Sequence, residues 1–255
     1  MKHIGKKEVL FVAHRMKVEL IYNMARSEGN SLSYAETDSV VNGLSVGNKK
    51  MFELNQIQRI AKGWDEIIHQ VKNNTFAVCK ENFILINSIV AEDENIELGD
   101  FRTKNVTIGG TKWLPPMPMH LSENFRAMME SFKKTENIES KAFNIFLDAA
   151  KNQFFCDGNK RTSQLIMNGF LMNSGYSLFS ISPDNDVEYK EKLVQFYETG
   201  NKEEILHFMG KQVAQLDSKF NLVELNNKEH GVFEDFKRNI SETFEPCKTK
   251  GYTSV

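Results

Sequence analysis

The stretch that decides the fold is residues 153–161, which read Gln-Phe-Phe-Cys-Asp-Gly-Asn-Lys-Arg. Apolar residues recur at helical spacing over residues 165–172, so the pattern predicts a helix that begins just after Gly158. Lys160 and Arg161 then fall in the first turn of that helix. Loops held by rigid helices often carry binding groups, so this junction is the first candidate for a functional site.

The predicted helix start favours an anion site. The N-terminal end of a helix already carries partial positive charge and unpaired N–H groups, so the cations Lys160 and Arg161 are locally unfavourable there. With the backbone of Gly158 and Asn159 they would converge on a phosphate, and Gly158, lacking a Cβ, would let the ligand approach closely. Asp157 beside such a cradle could hold Mg²⁺. The alternative is that Asp157 or Asn159 simply caps the helix and both cations lie in solvent.

Composition bounds the function classes. The chain has 255 residues, is 40% hydrophobic and carries a net charge of -2, so it can build a core and shows no global basic field for nucleic acid. Its three cysteines are widely spaced, which disfavours a disulfide framework. Residues 1–7 lack an apolar signal-peptide core and no run approaches a membrane span. We therefore expect a cytoplasmic protein without membrane or nucleic-acid partners.

Periodicity along the chain predicts an all-α fold, a helical bundle with one small β-hairpin. The predicted helices cover residues 8–27, 33–43, 51–71, 80–90, 122–134, 138–150, 161–173, 187–197 and 202–216. Ser33 with Glu36 resembles a capping box. Residues 99–116, hereafter the flap, mix aromatic and β-branched residues with Thr, Asn and Gly109-Gly110, which predicts the hairpin.

Three regions are predicted. Residues 1–75 form N-terminal helices, residues 76–216 a core domain, and residues 217–255 a polar C-terminal extension. Periodicity weakens in the extension, with a terminal helix expected near residues 232–243.

The junction resembles the signature of the Fic (Fic/Doc) family, which runs His-Pro-Phe, any residue, Asp or Glu, Gly-Asn, Gly or Lys, then Arg. The matching positions are Phe155, Asp157, Gly158, Asn159, Lys160 and Arg161. Members of this family are helical proteins that typically transfer AMP from ATP to a hydroxyl side chain of a target protein, and the related Doc toxins are kinases. The resemblance therefore implies ATP and Mg²⁺ as cofactors and an unidentified target protein as partner.

Two further segments resemble the family. The flap is similar to the family's target-docking segment, in which Val106, Ile108, Gly109 and Gly110 would register an extended stretch of the target by β-augmentation. Residues 28–32, Glu-Gly-Asn-Ser-Leu, are similar to the end of the inhibitory helix that some members carry. There Glu28 would obstruct productive ATP placement. Otherwise Glu28 is a solvated carboxylate balanced by Arg26.

The chain also departs from the family. Gln153 stands at the position of the histidine general base, and an amide can orient a hydroxyl but cannot take its proton. Phe154 replaces the usual proline. Gln164 replaces the second arginine, which normally grips the γ-phosphate, and Met24 replaces the Ser or Thr expected before Glu28.

Three hypotheses follow, in this order. The first is a Fic-type nucleotide-binding transferase, a protein adenylyltransferase whose turnover is weakened or altered because of Gln153. The second is a catalytically inactive regulatory or interaction protein on the same fold, and the third is a Doc-like kinase. Cys156 before a helix start and the scattered histidines His14, His69 and His120 are weaker candidates for chemistry. An exposed remainder of the apolar stripe near residue 128 would allow a homo-oligomer.

Overall fold

The structure is a computed structural model that describes residues 1–214 and 216, and the helices below are those of this part of the chain. The extension at 217–255, with the helix expected near 232–243, lies outside the described residues. The helices are α1 (Lys6–Arg15), α2 (Lys17–Ser27), α3 (Tyr34–Val41), α4 (Met51–Lys72), α5 (Lys80–Val90), α6 (Leu121–Lys134), α7 (Ile138–Asn152), α8 (Asn159–Asn173), α9 (Asp186–Thr199) and α10 (203–214).

The all-α prediction is confirmed, but the single helix expected over residues 8–27 is wrong. Met16 interrupts it with φ -95° and ψ 5°, which ends α1 and starts α2. Both halves keep apolar residues at helical spacing, so periodicity alone does not reveal a one-residue break. The two halves then pack differently, because α1 contacts α8 whereas α2 contacts α3.

The predicted capping box at α3 is confirmed. Ser33 Oγ accepts a hydrogen bond from the Glu36 amide at 3.3 Å, and Glu36 Oε2 accepts one from the Ser33 amide at 2.7 Å. The arrangement satisfies backbone donors at the helix start and fixes the chain directly after Gly29 and Asn30.

Helix α8 is the centre of the bundle. It packs against α1, α4, α5 and α7, and its apolar residues between Leu165 and Met172 are almost all fully buried. Gly169 leaves no room for a side chain, since an added Cβ would lie 2.3 Å from Phe76 Cε2 and 3.0 Å from Ile67 Cγ2. The helix that starts at the 153–161 junction is therefore held on several sides, and its first turn is fixed by the core.

The flap differs from expectation. Residues 1–214 and 216 contain no β-strand, and the one isolated bridge among them pairs His3 with Tyr176. The flap is a loop with a turn at Gly109-Gly110, so the predicted hairpin is not confirmed. Its backbone lacks a cross-strand partner within the described chain, and a hairpin needs such pairing to show as strands.

None of the helices in the described part of the chain combines the length and the apolar character that crossing a membrane would require. The N-terminal helix α4 packs on both α5 and α8, so residues on either side of the expected boundary near residue 75 share one core. The division at residue 75 stays a prediction.

Candidate functional site

The junction between α7 and α8 contains two left-handed residues. Gln153 ends α7 with φ 49° and ψ 63°, and Gly158 precedes α8 with φ 73°. Helix α8 begins at Asn159, so Lys160 and Arg161 lie in its first turn as predicted. The first amides of the helix have no helical acceptor and are directed toward the loop.

Asn159 holds the junction together through its side chain. Its Oδ1 accepts a hydrogen bond from the Phe155 amide at 2.9 Å, and its Nδ2 donates to Phe155 O at 2.7 Å and to Gln153 Oε1 at 2.9 Å. The residue is buried. Its amide side chain is thus engaged in the loop, and what it offers to an anion is its backbone N–H.

The role predicted for Gly158 requires correction. The sequence predicted that the absence of a Cβ at Gly158 leaves space for a ligand. In the structure, residues of α5 and Ala91 occupy that space. A Cβ at Gly158 would lie 2.7 Å from Ala91 Cβ and 3.0 Å from Asn87 Nδ2. Asn87 Nδ2 in turn donates to Asp157 O at 2.8 Å. Glycine is required here for its positive φ and for close packing of the loop on α5.

Arg161 also differs from expectation, because it is 2% exposed and points into the protein. It donates to Val90 O at 2.7 Å, pairs with Glu94, and lies 3.2 Å from Asp157 Oδ1. Burial opposes its charge, but the carboxylates of Glu28, Glu94 and Asp157 outweigh that effect and raise its pKa above the ordinary value. As placed, its guanidinium braces the loop, and its Nε has no hydrogen-bond partner in the described chain.

Lys160 is the junction cation that faces Glu28. Lys160 Nζ lies 3.3 Å from Glu28 Oε1, with the two side chains 31% and 20% exposed. Glu28 caps the C-terminal end of α2, immediately before Gly29 with φ 85°. The sequence offered Arg26 as the cation that balances Glu28, but Arg26 donates to Asn30 O at 2.8 Å and the ion pair of Glu28 is with Lys160.

A cleft of about 530 Å³ lies over this junction. Its lining comes from four parts of the chain: the end of α2, the flap, the 153–161 junction and α9. The lining residues are Glu28, Thr107, Ile108, Gly109, Gly110, Gln153, Cys156, Asp157, Gly158, Asn159, Lys160, Arg161, Lys190, Leu193, Val194 and Tyr197. A concave site of this volume suits a nucleotide-sized ligand.

Arg102 ties the flap to the junction. Its guanidinium donates to Gln153 O at 2.6 Å, to Lys104 O at 2.7 Å and to Pro116 O at 2.6 Å, and its amide donates to Phe154 O at 2.9 Å. The side chain is buried and lacks an ion-pair partner among the described residues. Burial lowers its pKa from the ordinary value. Both limbs of the flap are therefore fixed relative to residue 153.

Comparison with known proteins identifies this arrangement. Residues 73–171 match the model of the Fic/DOC family. The chain contains a Fic/DOC domain. Protein adenylyltransferase Fic of Aedes aegypti is 28% identical over 202 residues, which is 75% of this chain and 38% of that protein. The protein of the same name in Drosophila mojavensis is 30% identical over 181 residues, which is 68% of this chain and 34% of that protein.

Solved structures support the same fold. Fic-1 of C. elegans has a TM-score of 0.73 at 16% identity and matches 87% of this chain and 73% of that one. A Fic domain containing signaling protein from Bacteroides thetaiotaomicron has a TM-score of 0.69 at 17% identity, over 86% of this chain and 90% of that one. The chain spans less than two fifths of the length of the adenylyltransferase relatives above.

Nearly all of the predicted site residues line this cleft. Glu28, Gln153, Asp157 and the flap glycines are brought together from distant parts of the sequence. Val106 of the flap is not among the lining residues. The histidines His14, His69 and His120 are also absent from the lining, so the described residues offer no histidine to the cleft.

Sequence reasoning missed the contribution of α9. Lys190, Leu193, Val194 and Tyr197 line the cleft, and their spacing of three, one and three residues marks one face of a helix. That spacing was available in the sequence, but an apolar helical stripe is ordinarily a core face. Which stripe borders a cleft depends on tertiary packing.

Tyr197, one of the residues that line this cleft, has a buried hydroxyl. The residue is 2% exposed, and its hydroxyl has no hydrogen-bond partner in the described part of the chain. Burial and the charge of Glu28 raise its pKa well above the ordinary value. A buried hydroxyl without a partner is costly, and this one belongs to a residue that lines the cleft.

Asp157 and Cys156 are the remaining reactive side chains at the cleft. Asp157 is 53% exposed, and its Oδ1 accepts from the Gly158 amide at 2.5 Å, so one carboxylate at the cleft remains open to solvent. No group of three His, Cys, Asp or Glu side chains among the described residues forms a preorganised metal site. Cys156 lies 3.7 Å from Glu97 Oε2, and burial together with Glu97 raises the pKa of its thiol, which disfavours a nucleophilic role.

Proposed function

We propose that this chain binds ATP in the cleft and is a protein adenylyltransferase-type transferase with weakened turnover. The single observation that carries the proposal is the convergence of a helix N-terminus, a junction cation, an exposed carboxylate and the flap on one cleft of about 530 Å³. Relatives named protein adenylyltransferase Fic support the reaction class. The target protein would supply the hydroxyl that receives AMP.

The phosphates would bind at the start of α8. Backbone amides at Asn159 and Lys160 have no helical acceptor and add to the positive end of the helix dipole. Lys160 Nζ would contact a phosphate after leaving Glu28, from which it lies 3.3 Å away. Arg161 would act mainly by holding Asp157 and the loop, since its own guanidinium is directed to Glu94 and Val90.

Asp157 fits a magnesium site of the kind that nucleotides complete. Mg²⁺ keeps several waters and is commonly held by one or two carboxylates together with substrate phosphates. One half-exposed carboxylate beside the phosphate cradle meets that requirement without a preformed cage. When bound, the ion would neutralise phosphate charge, and Asp157 would fix its position at the mouth of the junction.

Gln153 limits the transfer reaction, because its side chain supplies no general base. Its Nε2 donates to Ala150 O at 2.6 Å and its Oε1 accepts from Asn159 at 2.9 Å, so the amide is engaged on both sides. An amide provides no general base, and a positioned base is worth about 10²- to 10⁴-fold in rate. This engagement favours a second candidate function, a regulator that binds nucleotide without turnover.

The nucleotide proposal predicts an effect of Glu28. In Glu28→Gln, Lys160 loses its anionic partner and the cleft loses a charge that repels phosphates. We expect ATP with Mg²⁺ to bind about tenfold tighter, a change of about 1.4 kcal/mol. Isothermal titration calorimetry on the full chain measures it.

A matched control is Glu92→Gln, which removes an exposed carboxylate paired with Arg59 and absent from the cleft lining. Its ATP affinity should equal that of the unaltered chain. If neither the unaltered chain nor Glu28→Gln binds ATP with Mg²⁺ at millimolar concentration, the nucleotide proposal is wrong.

A further inference from the structure

The C-terminal limb of the flap is anchored on α9 by one carboxylate oxygen. Glu198 Oε1 accepts a hydrogen bond from the Thr111 hydroxyl at 2.9 Å and another from the Lys112 amide at 3.0 Å. These two donors lower the pKa of Glu198 from its ordinary value. The residue is solvent-exposed, so its contacts serve the flap and not the core.

The neighbouring flap residue adds a second contact with the same region. Trp113 Nε1 donates to Lys151 O at 3.4 Å, and Lys151 Nζ lies 4.3 Å from the centre of the Trp113 ring. Lys151 Nζ also lies 5.0 Å from the centre of the Phe196 ring in α9. The flap limb is thus joined to α9 by a cation held between two aromatic rings and by Glu198.

The other limb has its own carboxylate. Glu97 accepts from the Thr103 amide at 2.6 Å and from the Thr103 hydroxyl at 2.7 Å. Between these anchors, no described residue pairs with the backbone of residues 105–110. A stretch with fixed ends and unpaired amides and carbonyls is suited to receive an extended segment.

The position of Glu198 links this stretch to the cleft. It follows Tyr197, which lines the cleft together with Leu193 and Val194 of the same helix. One turn of α9 therefore contacts the cleft on one side and holds the flap on the other. Residues 107–110 line the cleft, and α9 anchors the flap directly after them through Thr111 and Lys112.

We propose that Glu198 is a positioning residue that fixes the flap over the cleft, so that a segment docked on residues 105–110 presents its hydroxyl toward residue 153. This inference rests on the proposed transferase function. Glu198 acts as a hydrogen-bond acceptor, and one oxygen receives both bonds. Glutamine retains such an oxygen, whereas alanine does not.

The test compares Glu198→Ala with Glu198→Gln by hydrogen exchange of the free protein, followed at the Lys112 amide. We expect exchange at Lys112 to be about tenfold faster in Glu198→Ala, the scale of one or two lost hydrogen bonds, and nearly unchanged in Glu198→Gln. The urea midpoint should stay within error, because the residue is exposed. Glu191→Ala, an exposed glutamate on the same helix, should leave Lys112 unchanged.

The outcomes are separable from those of the nucleotide proposal. Unchanged exchange in Glu198→Ala, or equal acceleration in Glu198→Gln, would overturn the positioning role. Calorimetry with ATP and Mg²⁺ on Glu198→Ala should match the unaltered chain within about twofold, since Glu198 does not line the cleft. Failure of every variant to bind ATP would refute the nucleotide proposal while the exchange result still decides the role of Glu198.

Discussion

Replacing Gln153 with histidine is expected to raise the rate of AMP transfer by about 10²- to 10⁴-fold, the usual contribution of a positioned general base. The residue follows the last turn of α7 and lines the cleft. Glutamine there can only orient an incoming hydroxyl. An imidazole at the same place could take its proton as the hydroxyl oxygen bonds to the α-phosphorus of ATP and pyrophosphate leaves.

The backbone at this position accommodates the change. Residue 153 has φ 49°, and histidine is among the residues that adopt left-handed conformations more readily than most. Asn159 Nδ2 would lose its acceptor Gln153 Oε1 at 2.9 Å but keep its bond to Phe155 O at 2.7 Å, so the basic ring nitrogen stays free for the hydroxyl proton. The bond from Gln153 Nε2 to Ala150 O would be lost, which frees the side chain to face the cleft.

The measurement is transfer of label from α-labelled ATP to proteins of a lysate, made in the Glu28→Gln background so that nucleotide access is equal. Gln153→Asn is the matched control, because asparagine also tolerates the left-handed backbone but provides no base. The histidine variant should lose rate as the pH falls through about 6.5, while the asparagine variant should not. Equal rates for the two variants, with ATP bound, would favour the non-catalytic regulator.

At this junction the sequence predicts where α8 begins but not where the side chain of Arg161 points. The apolar spacing after residue 161 predicted α8, and the Gly-Asn pair predicted where it begins. Local pattern sufficed there because helix starts depend on a few neighbouring residues. The same pattern placed Arg161 toward a phosphate, whereas its partners Glu94 and Val90 come from α5 and the residues after it.

Other features of the site were not predicted for the same reason, because they depend on contacts between separate elements. The face of α9 that lines the cleft and the acceptor role of Glu198 depend on how separate elements meet, which spacing along one helix cannot convey. The flap hairpin is not confirmed for a related reason. Alternating side chains indicate extended backbone, but a strand also requires a partner, and the described chain offers none to residues 105–110.

Gly158→Ala is expected to destabilise the fold by about 2 to 5 kcal/mol. A non-glycine residue in the left-handed region costs about 1 to 2 kcal/mol, and forcing an extra group into a packed site costs about 1 to 3 kcal/mol. Both apply, since Gly158 has φ 73° and its added Cβ would lie 2.7 Å from Ala91 Cβ. Urea unfolding followed by circular dichroism measures the free energy of unfolding.

Gly43→Ala separates the two contributions. Gly43 also has a positive φ, 78°, but nothing lies within 4 Å of an added Cβ, so only the backbone cost of about 1 to 2 kcal/mol applies. A second comparison is Gly158→Ala combined with Ala91→Gly. If the contact between the two Cβ atoms causes the additional loss of unfolding free energy, the double variant should be about 1 kcal/mol more stable than the sum of the two single changes predicts.

Equal losses of unfolding free energy for Gly158→Ala and Gly43→Ala would show that α5 moves to accommodate the new methyl group and that packing does not fix the loop.

The packing of the loop on α5 also affects the candidate site. Asn87 Nδ2 donates both to Asp157 O at 2.8 Å and to Thr162 Oγ1 at 3.2 Å, so it spans the loop and the first turn of α8. A Cβ that displaced Asn87 would shift Asp157 against Lys160, and ATP binding with Mg²⁺ should then weaken more in Gly158→Ala than its stability loss alone explains, whereas Gly43→Ala should leave that binding unchanged.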